Sequence, residues 1–312
     1  MSVQSRVSYS SRSAFVFANN HHIRTLDTTF DLTGCVRTGE AVSLVHGVHS
    51  DIKIARVYGR RCCVKIPRFV GDYSHQDSLR EFRQRVIQEA RIWSGLNHPN
   101  ILPFVGFTTE SSTSLCLISP MLEDGPASNF LQGHPLANRL EIVTGVAEGL
   151  LYLHERRVVH GDLKGANILI SVTRFGIVPM ICDFGSAHIV GTPFVGTAGT
   201  YRWTAKELLR LGLDDSDQPY IPTYASDVWS FGMTVLELYS GRVPFYNIVS
   251  TLRAVFHIQN GGLPPHPGAP AIERGLSDAL WGLLESCWCS DPVSRPTTTS
   301  LVAQLRELRD AT

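Results

Sequence analysis

The sequence predicts an α+β fold, with an antiparallel sheet in the first third of the chain and helices in most of the rest. Between residues 32 and 65, short β-rich runs are broken by glycines at hairpin-like intervals. Apolar residues recur with helical spacing in 78–95, 138–155 and 228–238. The chain has 312 residues, 43% of them apolar, which is enough for a buried core in one large domain or two small ones.

Composition argues against several broad classes of protein. Lys and Arg together number 28, as do Asp and Glu, so the overall charge does not favour binding to nucleic acid or to a membrane surface. No apolar run reaches the roughly 18 residues that a membrane-spanning helix needs. The seven cysteines are odd in number and lie mostly in apolar surroundings. They favour reduced thiols and an intracellular, cytoplasmic location over a disulfide framework.

The stretch from 158 to 185 places charged and amide side chains between apolar runs that are typical of short buried strands. It contains VVHGDLKGANILI and then MICDFG. A carboxylate among β-branched residues is costly to bury unless a cation meets it, and Lys164 follows Asp162 by two residues. Asp162, Asn167 and Asp183 have the spacing expected of a base and two metal ligands.

These residues resemble two motifs of the protein kinase family. His160–Asn167 is similar to the kinase catalytic loop, and Asp183-Phe184-Gly185 is similar to the kinase metal-binding motif. Both motifs, in this order and at this separation, are far more specific than either alone. The surroundings of Trp203 and Cys287-Trp288 resemble the tyrosine-kinase-like group of the family. The resemblance covers roughly residues 40 to 309.

The resemblance implies a bilobal α+β fold, with a small antiparallel β-rich N-lobe and a larger, mainly helical C-lobe. The implied boundaries are 31–118 for the N-lobe, 119–125 for the hinge and 126–312 for the C-lobe. Residues 1–30 lack a sustained periodicity and are predicted to form a flexible tail. The start of this tail is rich in Ser and Arg and poor in acids, so a mitochondrial transit peptide is the alternative.

The resemblance also implies ATP and Mg²⁺ as cofactors and a protein bearing Ser or Thr as the substrate. Asp162 would accept the proton of the substrate hydroxyl or orient that hydroxyl, and Lys164 would meet the charge of the transferred group. Asn167 and Asp183 would hold Mg²⁺ through hard oxygen ligands. The residues implied to contact the nucleotide, or to support that contact, are Gly47, Ile52, Cys63, Lys65, Glu89, Ser119, Pro120, Leu122, Leu169 and Asp183.

The segment 61–66 places Lys65 inside an apolar strand, where an ammonium needs an anion. Glu89, on or beside the apolar face of the following predicted helix, is the expected partner, and a solvated Glu on a charged helix is the alternative. Lys164, with Thr200 as its partner, resembles Ser/Thr kinases, and dual specificity stays open. Asp227 is implied to brace the catalytic loop.

Three departures from the family pattern carry predictions. Only Gly47 matches the glycines expected in 45–52, so a pseudokinase that serves as a scaffold or switch is the main alternative. A kinase of small molecules is a second alternative. Gly161 replaces the Arg that usually precedes the catalytic Asp, which predicts activity independent of phosphorylation at Ser186, Thr192 or Thr197. Lys206 replaces a Pro, but Glu207 remains and is predicted to pair with Arg295.

Overall fold

A computed structural model of the chain describes residues 26–37, 43–46, 50–69, 76–109, 115–192, 194, 199–209 and 221–311. The described residues fall into two compact units, one from Met1–Val70 and Val105–Ser119 and the other from Gly71–Phe104 and Pro120–Thr312. The first is mainly sheet and the second mainly helical, which confirms the predicted fold class. The predicted lobe and hinge boundaries stay a prediction.

The first unit is built on one antiparallel sheet. Its strands follow the order β1-β3-β4-β6-β5, with β2 paired to β3. They are β1 (Val36–Arg37), β2 (Ser43–His46), β3 (Ser50–Val57), β4 (Arg60–Pro67), β5 (Gly106–Thr108) and β6 (Cys116–Pro120). In β4, Cys62 and Val64 are buried in the core of this unit with Ala55 and Val57 of β3. Because side chains alternate along a strand, Cys63 and Lys65 lie on the opposite face.

The second unit is mainly helical. Its helices are α1 (Gln76–Ser94), α2 (Ala127–Gly133), α3 (Arg139–Glu155), α4 (Tyr224–Ser240), α5 (Thr251–Gln259), α6 (Ala269–Ile272), α7 (Asp278–Cys287) and α8 (Thr298–Asp310). Its short strands are β7 (Val158–Val159), β8 (Ile168–Thr173), β9 (Gly176–Ile181) and β10 (His188–Ile189). Strand β8 pairs with β9 and β7 with β10, so the predicted strands around the catalytic-loop sequence are present. No helix in the described ranges combines the length and apolar character needed to cross a membrane.

Helices α3 and α4 contribute side chains to the site that is described in the next subsection. The structure also corrects the predicted start of α4. Helix α3 begins after Asn138, whose side chain accepts the Glu141 N–H at 3.1 Å. Helix α4 begins at Tyr224, ahead of the predicted run 228–238, because Thr223 is its N-cap. Ser226 completes a reciprocal capping box with Thr223, and Asp227 therefore lies inside the first turn. That turn carries the Asp227 carboxylate into the interior.

Candidate active site

The carboxylate of Asp162 lies at the centre of a hydrogen-bond cluster between β7 and β8. Its Oδ1 accepts the backbone N–H and the hydroxyl of Thr200, both at 2.8 Å. Its Oδ2 accepts Lys164 Nζ at 2.6 Å and Asn167 Nδ2 at 3.3 Å. Lys164 Nζ also donates to Thr200 Oγ1 at 2.6 Å, so the predicted partnership of Lys164 with Thr200 is confirmed. The Asp162 side chain stays 15% exposed, which leaves it within reach of a second molecule.

Asn167 and Asp183 carry side-chain oxygens of the kind that Mg²⁺ prefers as ligands. Asn167 Nδ2 donates to Asp162 O at 2.8 Å, and no described residue donates to its Oδ1. Cys182 N donates to Asn167 O at 2.9 Å, which ties Asn167 to the residue before Asp183. Asp183 has a φ of 65°, a conformation found mainly where the surroundings impose it. Mg²⁺ commonly uses one or two side-chain oxygens together with water and substrate phosphates, so the pair fits this ion.

Asp227 accepts hydrogen bonds from the backbone of the catalytic loop and so braces it, as predicted. Its carboxylate accepts His160 N–H at 2.8 Å and Gly161 N–H at 2.9 Å. His154 Nε2 lies 3.0 Å from the same carboxylate. Burial acts to raise the pKa of Asp227, but the hydrogen bond and charge of His154, the charge of His160 and the Gly161 N–H together lower it. Asp227 therefore favours its charged form and fixes the backbone just before Asp162.

Glu237 forms a second support that sequence reasoning missed. Its Oε2 accepts the Gly165 N–H at 2.8 Å and Trp203 Nε1 at 2.9 Å. Burial raises the pKa of Glu237, while these two bonds and the charge of Lys164 act to lower it. Gly165 follows Lys164, and Trp203 lies three residues after Thr200. One carboxylate therefore links both segments that surround Asp162.

Position 165 has no room for a side chain beside Glu237, and this yields a prediction. A Cβ at Gly165 would lie 2.7 Å from Glu237 Oε1 and 2.9 Å from Oε2. Gly165→Ala must therefore displace the carboxylate and weaken its bond to the loop, and we expect a loss of about 1–3 kcal/mol in the free energy of unfolding. Urea unfolding measures this loss.

Gly282→Ala is the matched control, because Gly282 lies in α7 and a Cβ there meets no atom within 4 Å. That variant should be as stable as the parent or more stable, since Ala favours a helix over Gly. Equal stability of Gly165→Ala and the parent would contradict the stabilising role assigned to the contact between Gly165 and Glu237.

Gly161, the departure beside Asp162, is also tightly enclosed. It has a φ of 77°, which L side chains rarely adopt, and a Cβ there would lie 2.7 Å from Ser186 O. The backbone is therefore adapted to glycine, and a longer side chain at this position would require the loop to move.

Further residues predicted to bind nucleotide lie in both units, and their roles stay predictions. In the first unit, Ile52 on β3 lies opposite Lys65 on β4, and Cys63 lies opposite Ile54. Ser119, at the end of β6, is buried, and Gly47 lies outside the described residues.

In the second unit, Glu89 is 5% exposed on α1, which disfavours the alternative of a solvated Glu. The pairing of Lys65 with Glu89 stays a prediction. Pro120 and Leu122 are half-buried, and Leu169 lies on β8 opposite Met180.

His154, Glu237 and Gly165 are the site-supporting residues that the sequence reasoning did not single out. Glu237 did carry a signal, because it is an acid inside the apolar run of α4, and a buried acid requires hydrogen-bond partners. His154 stands in the last turn of α3 and carried a weaker signal of the same kind. Gly165 carried none.

Comparison with known proteins supports the resemblance to protein kinases that the sequence motifs indicate. The model of a family described as the protein kinase domain matches residues 49–305. Serine/threonine-protein kinase STY17 of Arabidopsis thaliana is 32% identical over 238 residues, which are 74% of this chain and 38% of that protein. Cytokinesis protein sepH of Aspergillus niger is 36% identical over 70% of this chain and 15% of its own length. Mitogen-activated protein kinase kinase kinase 10 of Mus musculus is 33% identical over 73% of this chain and 24% of its own length. The chain thus spans well under half the length of these relatives.

Proposed function

Because the chain belongs to the protein kinase family, we propose that it transfers the γ-phosphate of ATP to Ser and Thr hydroxyls of protein substrates. The observation that carries the proposal is the convergence of Lys164, Asn167 and Thr200 on the Asp162 carboxylate. Relatives named as serine/threonine-protein kinases support the choice of Ser and Thr. Phosphoryl transfer depends mainly on positioning and on compensation of charge, which this cluster can supply.

Each residue of the cluster has a distinct proposed role. Asp162 accepts the proton of the substrate hydroxyl, or orients that hydroxyl, and its donors hold the carboxylate in one orientation. Lys164 uses two of its three N–H groups on Asp162 and Thr200, and its third faces the transferred phosphoryl group. The substrate lies on the segment that contains Thr200, and Thr200 holds this segment against the catalytic loop.

Asn167 and Asp183 are the proposed Mg²⁺ ligands, through an amide oxygen and a carboxylate. Bound with ATP, Mg²⁺ would neutralise part of the phosphate charge. In the first unit, Lys65 would bind the inner phosphates, and Ile52 and Cys63 would contact the adenine. Pro120, Leu122 and Leu169 are further residues proposed to contact the nucleotide.

A pseudokinase is the second candidate, favoured by the single glycine in 45–52. In that case the fold would serve as a scaffold or switch, with weak transfer or none. A rise in melting temperature caused by ATP only with Mg²⁺ would support nucleotide binding even without turnover.

The experiment that tests the proposal is incubation of the chain with ATP, Mg²⁺ and a generic protein, followed by mass spectrometry of the modified residues. We expect phosphate on Ser and Thr. Phosphate on Tyr alone, or no phosphate beyond a chelator-treated sample, would contradict the proposal.

Because Gly161 precedes Asp162, we predict that kinase activity does not require phosphorylation of the segment after Gly185. The residue that precedes Asp162 has no side chain to pair with a phosphate, so such a phosphate lacks its usual cation. Phosphatase-treated enzyme and the Thr192→Ala, Thr197→Ala variant should both keep the parent kcat within about twofold. A large loss of kcat in either sample would show that a phosphate on this segment is needed.

A further inference from the structure

A cavity of about 910 Å³ in the second unit is lined by three arginines, Arg139, Arg242 and Arg274. Its walls come from α2, the start of α3, the end of α4 and the segment around α6. Cavities of this size are typical of sites for small ligands or for a few side chains of a peptide.

Two of the arginines are held by carbonyl groups at the end of α4. Arg139 Nε donates to Leu238 O at 3.0 Å. Arg274 Nη1 donates to Tyr239 O at 2.9 Å and to Ser240 O at 2.8 Å. These bonds fix both guanidinium groups in position before any ligand binds.

None of the three arginines forms an ion pair with a carboxylate of the described residues. Burial lowers the pKa of Arg139, and the positive charge of Arg274 lowers it further. Arg139 and Arg274 have only carbonyl groups as partners, and an anion between them would relieve the repulsion of their two full charges. Arg242 is exposed, with its guanidinium 4.7 Å from the centre of the Tyr246 ring.

Glu237 is the acid among the described lining residues, and no ion pair joins it to any of the three arginines. Its Oε2 is engaged by Gly165 and Trp203 on the side of the catalytic loop. Three arginines therefore outnumber one glutamate, and burial raises the pKa of that glutamate. The cavity favours an anionic ligand.

Two sets of hydrogen bonds connect the lining of the cavity to the residues around Asp162. Glu237 bonds to Gly165, the neighbour of Lys164. Arg202, two residues after Thr200, donates to Phe245 O and to Ile248 O, both at 2.8 Å. Phe245 and Ile248 belong to the loop that follows Arg242, so this loop is tied directly to the Thr200 segment.

We propose that this cavity binds an acidic or phosphorylated side chain of the polypeptide substrate while the acceptor hydroxyl lies at Asp162. The inference rests on the proposed function and names the class of substrate. Guanidinium groups bind carboxylate and phosphate through short, charge-assisted hydrogen bonds, and arginines already fixed in place lose little entropy in doing so.

The test compares KM and kcat for Ser-containing peptides in which one Asp, Glu or phosphoserine is moved along an otherwise neutral sequence. At the favoured position the parent should show the lowest KM. Arg242→Gln and Arg274→Gln should each raise that KM by about tenfold, the effect of losing one good charge-assisted contact. Arg242→Gln should not raise KM for the neutral peptide.

Arg253→Gln is the matched control, because Arg253 is also exposed but lies on α5, away from the cavity lining. It should leave every KM unchanged. Since Arg242 makes no hydrogen bond through its guanidinium to the described residues, its variant should fold even if Arg274→Gln does not.

Equal KM values of the parent for acidic and neutral peptides would overturn the cavity proposal. So would an unchanged KM in Arg242→Gln. If no peptide is phosphorylated, the proposed function fails instead, and fluorescence anisotropy with the same acidic peptides then tests the cavity. Tighter binding by the parent than by Arg242→Gln would support it, and equal binding would refute it.

Discussion

Asp162→Asn should lower kcat by roughly a thousandfold, within the range that a positioned acid–base group contributes. The Asn side chain has nearly the same shape, but it cannot accept a proton from a hydroxyl. Its NH₂ group would also face one of the donors that now bond to the carboxylate: Lys164 Nζ at 2.6 Å or Thr200 N at 2.8 Å. Steady-state kinetics with a protein substrate measures the loss.

Affinity for ATP should change little in this variant, because Asp162 is not among the residues proposed to contact the nucleotide. Calorimetry with ATP and Mg²⁺ separates the two effects. Thr192→Ala is a matched control outside the cluster, because the Thr192 hydroxyl bonds to Ile189 O. A kcat of Asp162→Asn close to that of the parent would remove Asp162 from its proposed role.

Arg295→Ala should lower the free energy of unfolding by about 3–5 kcal/mol, the usual effect of breaking a buried ion pair. The Arg295 side chain is 0% exposed, and its Nη1 and Nη2 bond to the two Glu207 oxygens at 2.7 and 2.8 Å. It also donates to Ala225 O and Cys289 O. Removal of the guanidinium leaves the Glu207 side chain, which is 28% exposed, without its cation and leaves two carbonyl groups without their donor. Urea unfolding by linear extrapolation gives the difference.

Arg306→Ala provides the comparison for this second variant. Arg306 also bonds to a carboxylate, Glu148, through two nitrogens, but its side chain is 54% exposed. Exposed pairs of this kind contribute at most about 1 kcal/mol, so this variant should be nearly as stable as the parent. If Arg295→Ala were no less stable than Arg306→Ala, the buried pair would not have the structural role assigned to it.

The sequence was sufficient for those contacts that link residues of recognisable motifs. Asp227 with the loop backbone, Lys164 with Thr200 and Glu207 with Arg295 were all predicted, and the structure confirms each contact. In these cases the cost of burying a charge without a counter-charge points to a specific partner.

Contacts between distant segments without such a motif could not be predicted. Glu237 meets Gly165 72 positions earlier and Trp203 34 positions earlier, and periodicity does not determine which faces of distant elements meet. The arginine-lined cavity is hidden for the same reason, since Arg139 and Arg274 become neighbours only at the end of α4. The capping box at Thr223 was missed because Ser226 and Asp227, which follow closely, are of residue types that also cap helices, so residue type alone does not decide which one is the N-cap.

The central claim is that the Asp162 cluster belongs to a working phosphotransferase. The most direct test counts the phosphates that one molecule of the parent chain transfers from ATP to protein Ser and Thr residues with Mg²⁺ present. We predict many transfers per molecule, rising steadily with time, and almost none from an Asp162→Asn sample prepared in parallel. A parent signal that never rises above that of the variant would contradict the claim and leave the chain as a scaffold.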